Sequence, residues 1–220
     1  MYALLTAWMA LTAAAPAAAG QERLVDEVVA VVNRHVITRS EVWEEAVLVL
    51  VQRRGQAGLR HRVTPALMKK VLEMLINQRI LLDEARRVGL PPVGDEERGR
   101  LLAGFRRSFA DAEAYTRFLL AHDLSERDVV EALVRHLRIE RLKERKLRVM
   151  PAVEQADVAR YYRQHRLDFG GAPLEQVAAA IRLRLQQRQR QRELARWISE
   201  LGKRSEVKVL VDLTGGGDGL

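Results

Sequence analysis

The chain has 220 residues, 48% of them hydrophobic and 30% charged. That is the make-up of a folded protein with one large or two small domains, not of a disordered chain. It contains no cysteine, which excludes disulfides, thiol catalysis and cysteine-ligated metals, and its net charge of +8 admits nucleic acid, an anionic membrane surface or acidic polypeptides as partners.

Residues 1–20, MYALLTAWMALTAAAPAAAG, carry no charged side chain, hold an apolar run over 4–15 and end in Ala17-Ala18-Ala19. These are the apolar segment and small-residue cleavage site of a secretory signal peptide, although a basic stretch ahead of them is missing. A retained membrane anchor is the rival reading. The run is Ala-rich and short for a span, which favours cleavage. Export argues against a nucleic-acid partner, and no stable membrane insertion is expected once the segment is removed.

The stretch VDEVVAVVNRHVITRSEV, residues 25–42, holds two β-branched runs separated by Asn33-Arg34-His35. It reads as a tight hairpin feeding a helix. Two helix starts are open: a Thr38/Glu41 capping box, or Ser40 as N-cap. A lone hairpin is marginal in water, so a further strand is required. Helix one is expected over 40–53, broken by Gly55 and Gly58. Thr64-Pro65 starts a second and longest apolar helix over 66–88, ended by Gly89 and Pro91-Pro92. Its apolar residues spread so far round that it should be mostly surrounded.

Asp95-Glu96-Glu97 opens a third helix with Leu101, Leu102, Phe105 and Phe109 on one face. Asp111 caps a short fourth helix carrying Tyr115 and Phe118. A capping-box-like Ser125/Asp128 pair starts a fifth, running to about Lys146, with Val130, Leu133, Val134 and Leu137 inward. A small helix over 154–165 precedes a hinge, DFGGAP. The last helix, 174–201, is Gln and Arg throughout 186–192, so that part is expected to be exposed. Residues 206–211 alternate and then become β-rich, giving the strand that the opening hairpin lacks. The glycine-rich tail is expected to be flexible.

In order along the chain, VDEVVAVVNRHVITRSEV, VLEMLINQRILLDEARRVGL, FLLAHDLSERDVVEALVRHLRIERL, PLEQVAAAIRLRL and WISELGKRSEVKVLV resemble the SurA-type periplasmic chaperones. The match is to their N-terminal module together with the closing C-terminal helix and strand. The fold implied is mainly α, a multi-helix chaperone domain with a small β-sheet formed by an N-terminal hairpin and a C-terminal strand. Its parts are a signal peptide (1–20), a SurA-like N-terminal module (21–150), a short helix and hinge (151–173), a closing helix and strand (174–212) and a tail (213–220). Members of this family commonly carry parvulin-type prolyl isomerase domains between module and last helix. The twenty or so residues available here are too few to hold one.

The residues themselves offer no catalytic, cofactor or metal site. The five histidines are scattered, none in a metal-binding spacing, and Gly202-Lys203-Arg204-Ser205 lacks the rest of a phosphate loop. No nucleophile elbow is present. The resemblance implies an ATP-independent periplasmic chaperone for unfolded polypeptides, outer-membrane β-barrel proteins foremost. The alternatives are a prolyl isomerase like its fuller relatives, or a basic helical nucleic-acid binder. Client contact calls for adaptable apolar side chains, and Met68, Met74, Phe105, Phe109, Tyr115 and Phe118 are the candidates, placed in a cleft between the helical body and the last helix. The edge of the small sheet is a second place where an extended client could pair. The eight Lys/Arg against two Glu over 182–204 read as a solvated face that attracts acidic segments weakly.

Overall fold

The computed structural model describes residues 26–213. The signal-peptide reading of 1–20 and the flexible-tail reading of the glycine-rich end fall outside the described residues. The elements are β1 (Val28–Val32), β2 (His35–Thr38), α1 (Arg39–Arg54), α2 (Pro65–Arg87), α3 (Asp95–Arg106), α4 (Ala112–Ala121), α5 (Glu126–Leu147), α6 (Gln155–Gln164), α7 (Leu174–Lys203) and β3 (Val207–Val209), with 3-10 turns at Gly55–Arg60 and Arg166–Phe169. The fold is mainly α, and the small sheet joins the two ends of the described chain.

That sheet is antiparallel, in the order β2-β1-β3. Val32 faces His35 across a two-residue turn and Val207 on the other side, while Val31 lies between Val36 and Lys208. Asn33 adopts the left-handed region at φ +53°, which Asn tolerates better than most residues. Its backbone N–H donates to the Glu206 carbonyl at 2.7 Å, and the Glu206 N–H donates back to Asn33 Oδ1 at 3.0 Å. Asn33 Nδ2 donates to Asp83 Oδ2 at 2.8 Å, so one side chain ties the hairpin turn to β3 and to α2. The expected hairpin and its C-terminal partner are both present.

Thr38 is the N-cap of α1: its hydroxyl accepts from the Glu41 N–H at 3.3 Å. Glu41 itself pairs with Arg79 on α2 instead of reaching back to close a capping box. The Ser40 N–H is taken by Asp26. Gly58 is required by a close approach, since a Cβ there would sit 2.2 Å from the Leu50 carbonyl oxygen. Thr64 caps α2 with Pro65 in its first turn, and Gly89 follows that helix at φ +65°. Ser125 and Asp128 form a reciprocal capping box at α5.

Four apolar clusters hold these elements together. The first joins the inner face of the sheet (Val29, Val32, Ile37) to Val42 of α1 and Val71, Leu72 and Leu75 of α2. The second joins the far half of α1 to α3, α4 and the start of α5. The third places Leu81, Leu82 and Ala85 of α2 against Ile139 and Leu142 of α5, with Trp197, Ile198 and Leu201 of α7 closing over them. The fourth is separate: Val158 and Tyr161 of α6 with Ile181 of α7. The α2 helix contributes to the sheet core and to the α5 interface in turn, but it is not surrounded as expected: Lys69, Lys70, Glu73 and Asn77 leave an exposed stripe along its first half.

Two further expectations are corrected. Phe109 does not belong to α3, which ends at Arg106; it sits in the following turn, where its N–H donates to the Arg106 carbonyl at 3.1 Å. The buried stripe of α5 is Val129, Ala132, Val134, Ile139 and Leu142, whereas Val130, Leu133 and Leu137 are half-buried. On the same side Arg135 points inward to Glu45 of α1 at 3.1 Å, where Gln78 of α2 also meets Glu45. This buried polar contact has no periodic signature.

Two measurements test the knot at Asn33. Asn33→Gly keeps the backbone conformation but loses both side-chain bonds, and should cost about 1–2 kcal/mol in thermal unfolding. Asn33→Ala should cost about 1 kcal/mol more, because alanine is strained in the left-handed region. At Asp83, burial works against ionisation, but the bonds from Asn33 and His35 and the charge of Arg86 outweigh it and hold the carboxyl below its usual value. With the folded value the lower one, this stabilisation is complete above the usual carboxylate range and is lost as the pH falls through the folded value. Thermal midpoints should therefore drop as the pH falls below the usual carboxylate range, and Asp83→Asn should flatten part of that drop.

Candidate functional site

The N-terminal half of α7 stands away from the main body and carries α6 on its flank. Tyr162 fixes this pair by donating its hydroxyl to the Ala172 carbonyl at 2.6 Å. The α6 helix starts on a Glu154/Asp157 capping box, and Gly170 and Gly171 turn the chain back at φ +59° and +79°. The C-terminal half of α7 is docked on α2 and α5 through Trp197, Ile198 and Leu201. Where the docked half gives way to the standing half, a groove of about 840 Å³ opens between the end of α5, α6 and α7.

Its walls differ in chemistry. Val149, Met150 and Val153, from the end of α5 and the link to α6, supply the apolar side with Leu185 of α7 and the ring of Tyr161. Val149 is 81% exposed, a large apolar side chain held in water. The same helix is basic further along: Arg188, Arg192 and Arg196 follow one another at four-residue spacing, continuing the stripe of α7 that carries Leu185. Lys146 and Arg160 bring the lining cations to five, against the two carboxylates Asp157 and Glu193. Arg160 pairs with Asp157 at 2.8 Å, and Glu193 lies 3.3 Å from Lys146 and 3.6 Å from Arg196. Both carboxylates are thus taken, and among the described residues Arg188 and Arg192 have no acidic partner. The guanidinium groups of Arg188 and Arg184 each sit 5.7 Å from the centre of the Tyr161 ring, which also stacks on His165 at 4.0 Å and meets Phe169 edge-on at 6.4 Å. The buried Tyr161 hydroxyl makes no hydrogen bond with a described residue.

The expected client residues lie elsewhere. Phe105, Phe109, Tyr115 and Phe118 are between 3% and 7% exposed and pack edge-on or tilted against one another, with ring centres 5.0 to 6.4 Å apart. They are the second core, and in this conformation they present no face to a client. Met68 and Met74 are half-buried against the sheet core. None of the six lines the groove. The expectation is a cleft between the helical body and the last helix lined by these six; the groove lies instead between α6, α7 and the end of α5 and is formed by other side chains.

A smaller concavity of about 370 Å³ runs between α2 and β3, lined by Leu72 and Ile76 on one side and Val209 and Val211 on the other. Beside it β3 is an edge strand, with Val207 and Val209 38% and 57% exposed. Among the described residues no cluster of His, Asp and Glu could hold a metal ion. None of the described helices is long and apolar enough to cross a membrane. His122, packed against Trp43 and Phe118, is pushed down in pKa by burial and lies well away from the groove.

A family model described as the SurA-like N-terminal domain matches residues 2–143. The chain belongs to this family, a chaperone-type domain, and the match ends within α5. Beyond it, residues 148–173 hold only a linker, α6, one 3-10 turn and a loop before α7 begins, which leaves no room for a parvulin domain. No curated protein matches the chain. The groove starts at Lys146, immediately past the matched segment. The sequence signal for it was the arginine spacing at 184, 188, 192 and 196, which a solvated face also explains.

The core role of the aromatic cluster has a direct check. Phe105→Ala should cost about 3–5 kcal/mol in chemical denaturation, the range for a large aromatic removed from a packed core. A loss near zero would return Phe105 to the surface.

Proposed function

We propose that the protein is an ATP-independent periplasmic chaperone that holds unfolded polypeptides, outer-membrane β-barrel precursors foremost, in the groove between α5, α6 and α7. The observation that carries this is the groove itself: apolar side chains kept in water and rimmed by charge, on a SurA-like N-terminal body. A holding site needs apolar surface without a fixed shape to match, and charged edges that keep that surface soluble. Val149 and Met150 meet the first need and the α7 arginines the second. Met150 has an unbranched, polarisable side chain that repacks against unlike partners at little cost. The exposed edge of β3 offers backbone groups to an extended segment and is a secondary contact in this reading. Residues 1–20 supply the export signal, and the groove acts by binding alone, without bond chemistry.

Dilution of a urea-unfolded outer-membrane barrel into buffer tests this. A few molar equivalents of the protein should suppress its aggregation without nucleotide, and the double variant Val149→Glu, Met150→Glu should lose most of that suppression while keeping its thermal midpoint. Refolding of a proline-limited reporter should proceed at its uncatalysed rate. Acceleration by catalytic amounts would assign an isomerase in place of a holding chaperone.

A further inference from the structure

Building on the client-holding reading above, we infer that the groove selects extended segments in which acidic residues alternate with apolar ones. The spacing of the basic wall supports this. Arg188 and Arg192 are one helical repeat apart, a rise of about 6 Å along α7. In an extended chain, residues i and i+2 point to the same side and lie about 6.8 Å apart. Carboxylates at alternate positions of such a segment therefore meet successive arginines on α7. The residues between them turn away from α7, and Val149, Met150 and Val153, from the end of α5 and the link to α6, are the apolar side chains that line the same groove.

Charge fixes the class of partner. Five cations face two carboxylates across the groove, and the two carboxylates are already engaged by Lys146, Arg160 and Arg196. Arg188 and Arg192 remain as exposed cations without an acidic partner among the described residues, so the groove's local charge favours an anionic ligand. Arg188 is braced over the Tyr161 ring, which limits its freedom before a ligand arrives. An anionic bilayer is the competing source of negative charge. It is disfavoured because these arginines line a concavity walled by α6, whereas a membrane surface engages cations on a protruding or flat face.

The test uses the full chain and three fluorescently labelled twelve-residue peptides: alternating Glu and Val, alternating Lys and Val, and the first composition sorted into an acidic and an apolar block. The alternating acidic peptide should bind about tenfold more tightly than either of the others at low salt, with the preference shrinking as salt is added, as expected for two partly exposed ion pairs. Arg188→Gln with Arg192→Gln should erase the preference at an unchanged thermal midpoint, and Arg188→Lys with Arg192→Lys should restore part of it. Equal binding of the alternating and block acidic peptides overturns the spacing argument. A preference that survives the double Gln variant overturns the assignment to this groove. Binding to phosphatidylglycerol vesicles that the double variant loses, with peptide binding unaffected, assigns the arginines to a membrane and also overturns it. Aggregation suppression, measured in parallel, separates the two levels: suppression without peptide preference defeats only this inference. Peptide preference without suppression defeats the chaperone reading and leaves the groove chemistry standing.

Discussion

The structure depends on the pairing of the first strand with the last. As the middle strand, β1 cannot be completed by its own hairpin, because β2 satisfies only one of its edges. The other edge is filled by residues that follow α7, and Asn33 fastens the joint by accepting from Glu206 and donating to Asp83. From that joint the rest is constrained. Once β3 is placed, the end of α7 must lie across α2 and α5, and the third cluster forms where it lands. The length of α7, about 45 Å for thirty residues, then carries its other end clear of the body.

That geometry gives α7 two duties. Its docked half is a structural strut held by Trp197, Ile198 and Leu201; its standing half packs against α6 through Ile181, and the arginine stripe runs across the join between the two. The groove is a by-product of a helix that changes partners midway. At the change, apolar residues from the end of α5 are left in water beside cations from α7, a pairing that a self-contained bundle would have buried or spread apart. The family match ends within α5, so the groove opens where the matched segment ends and the return path begins.

Much of the fold was legible because its signals are local. Asn33 between β-branched runs, Thr64-Pro65, Asp111 and Ser125/Asp128 each fix one turn or cap through their own backbone. The inward polar contact of α5 was not legible: Arg135 reaches Glu45, ninety positions away, and no helical period reveals such a pair. The site was harder still. Aromatic residues suit a client surface and a core equally well, and only the convergence of α3, α4 and α5 decides that Phe105, Phe109, Tyr115 and Phe118 are core. Conversely, Arg188 and Arg192 look like ordinary surface charge until α6 is seen to fold back beside them.

The strand order has a consequence for how the molecule is made. Asn33 and Glu206 are 173 positions apart, so a chain growing from its N-terminus exposes one edge of β1 until almost all of it has been synthesised. Such distant pairing slows folding, and an open edge is a template for pairing with other chains. Its α2, α5 and sheet-facing surfaces wait for a helix that arrives last. During that interval the protein is itself an unfinished β-structure in need of shelter, in the same condition as the polypeptides it is proposed to hold.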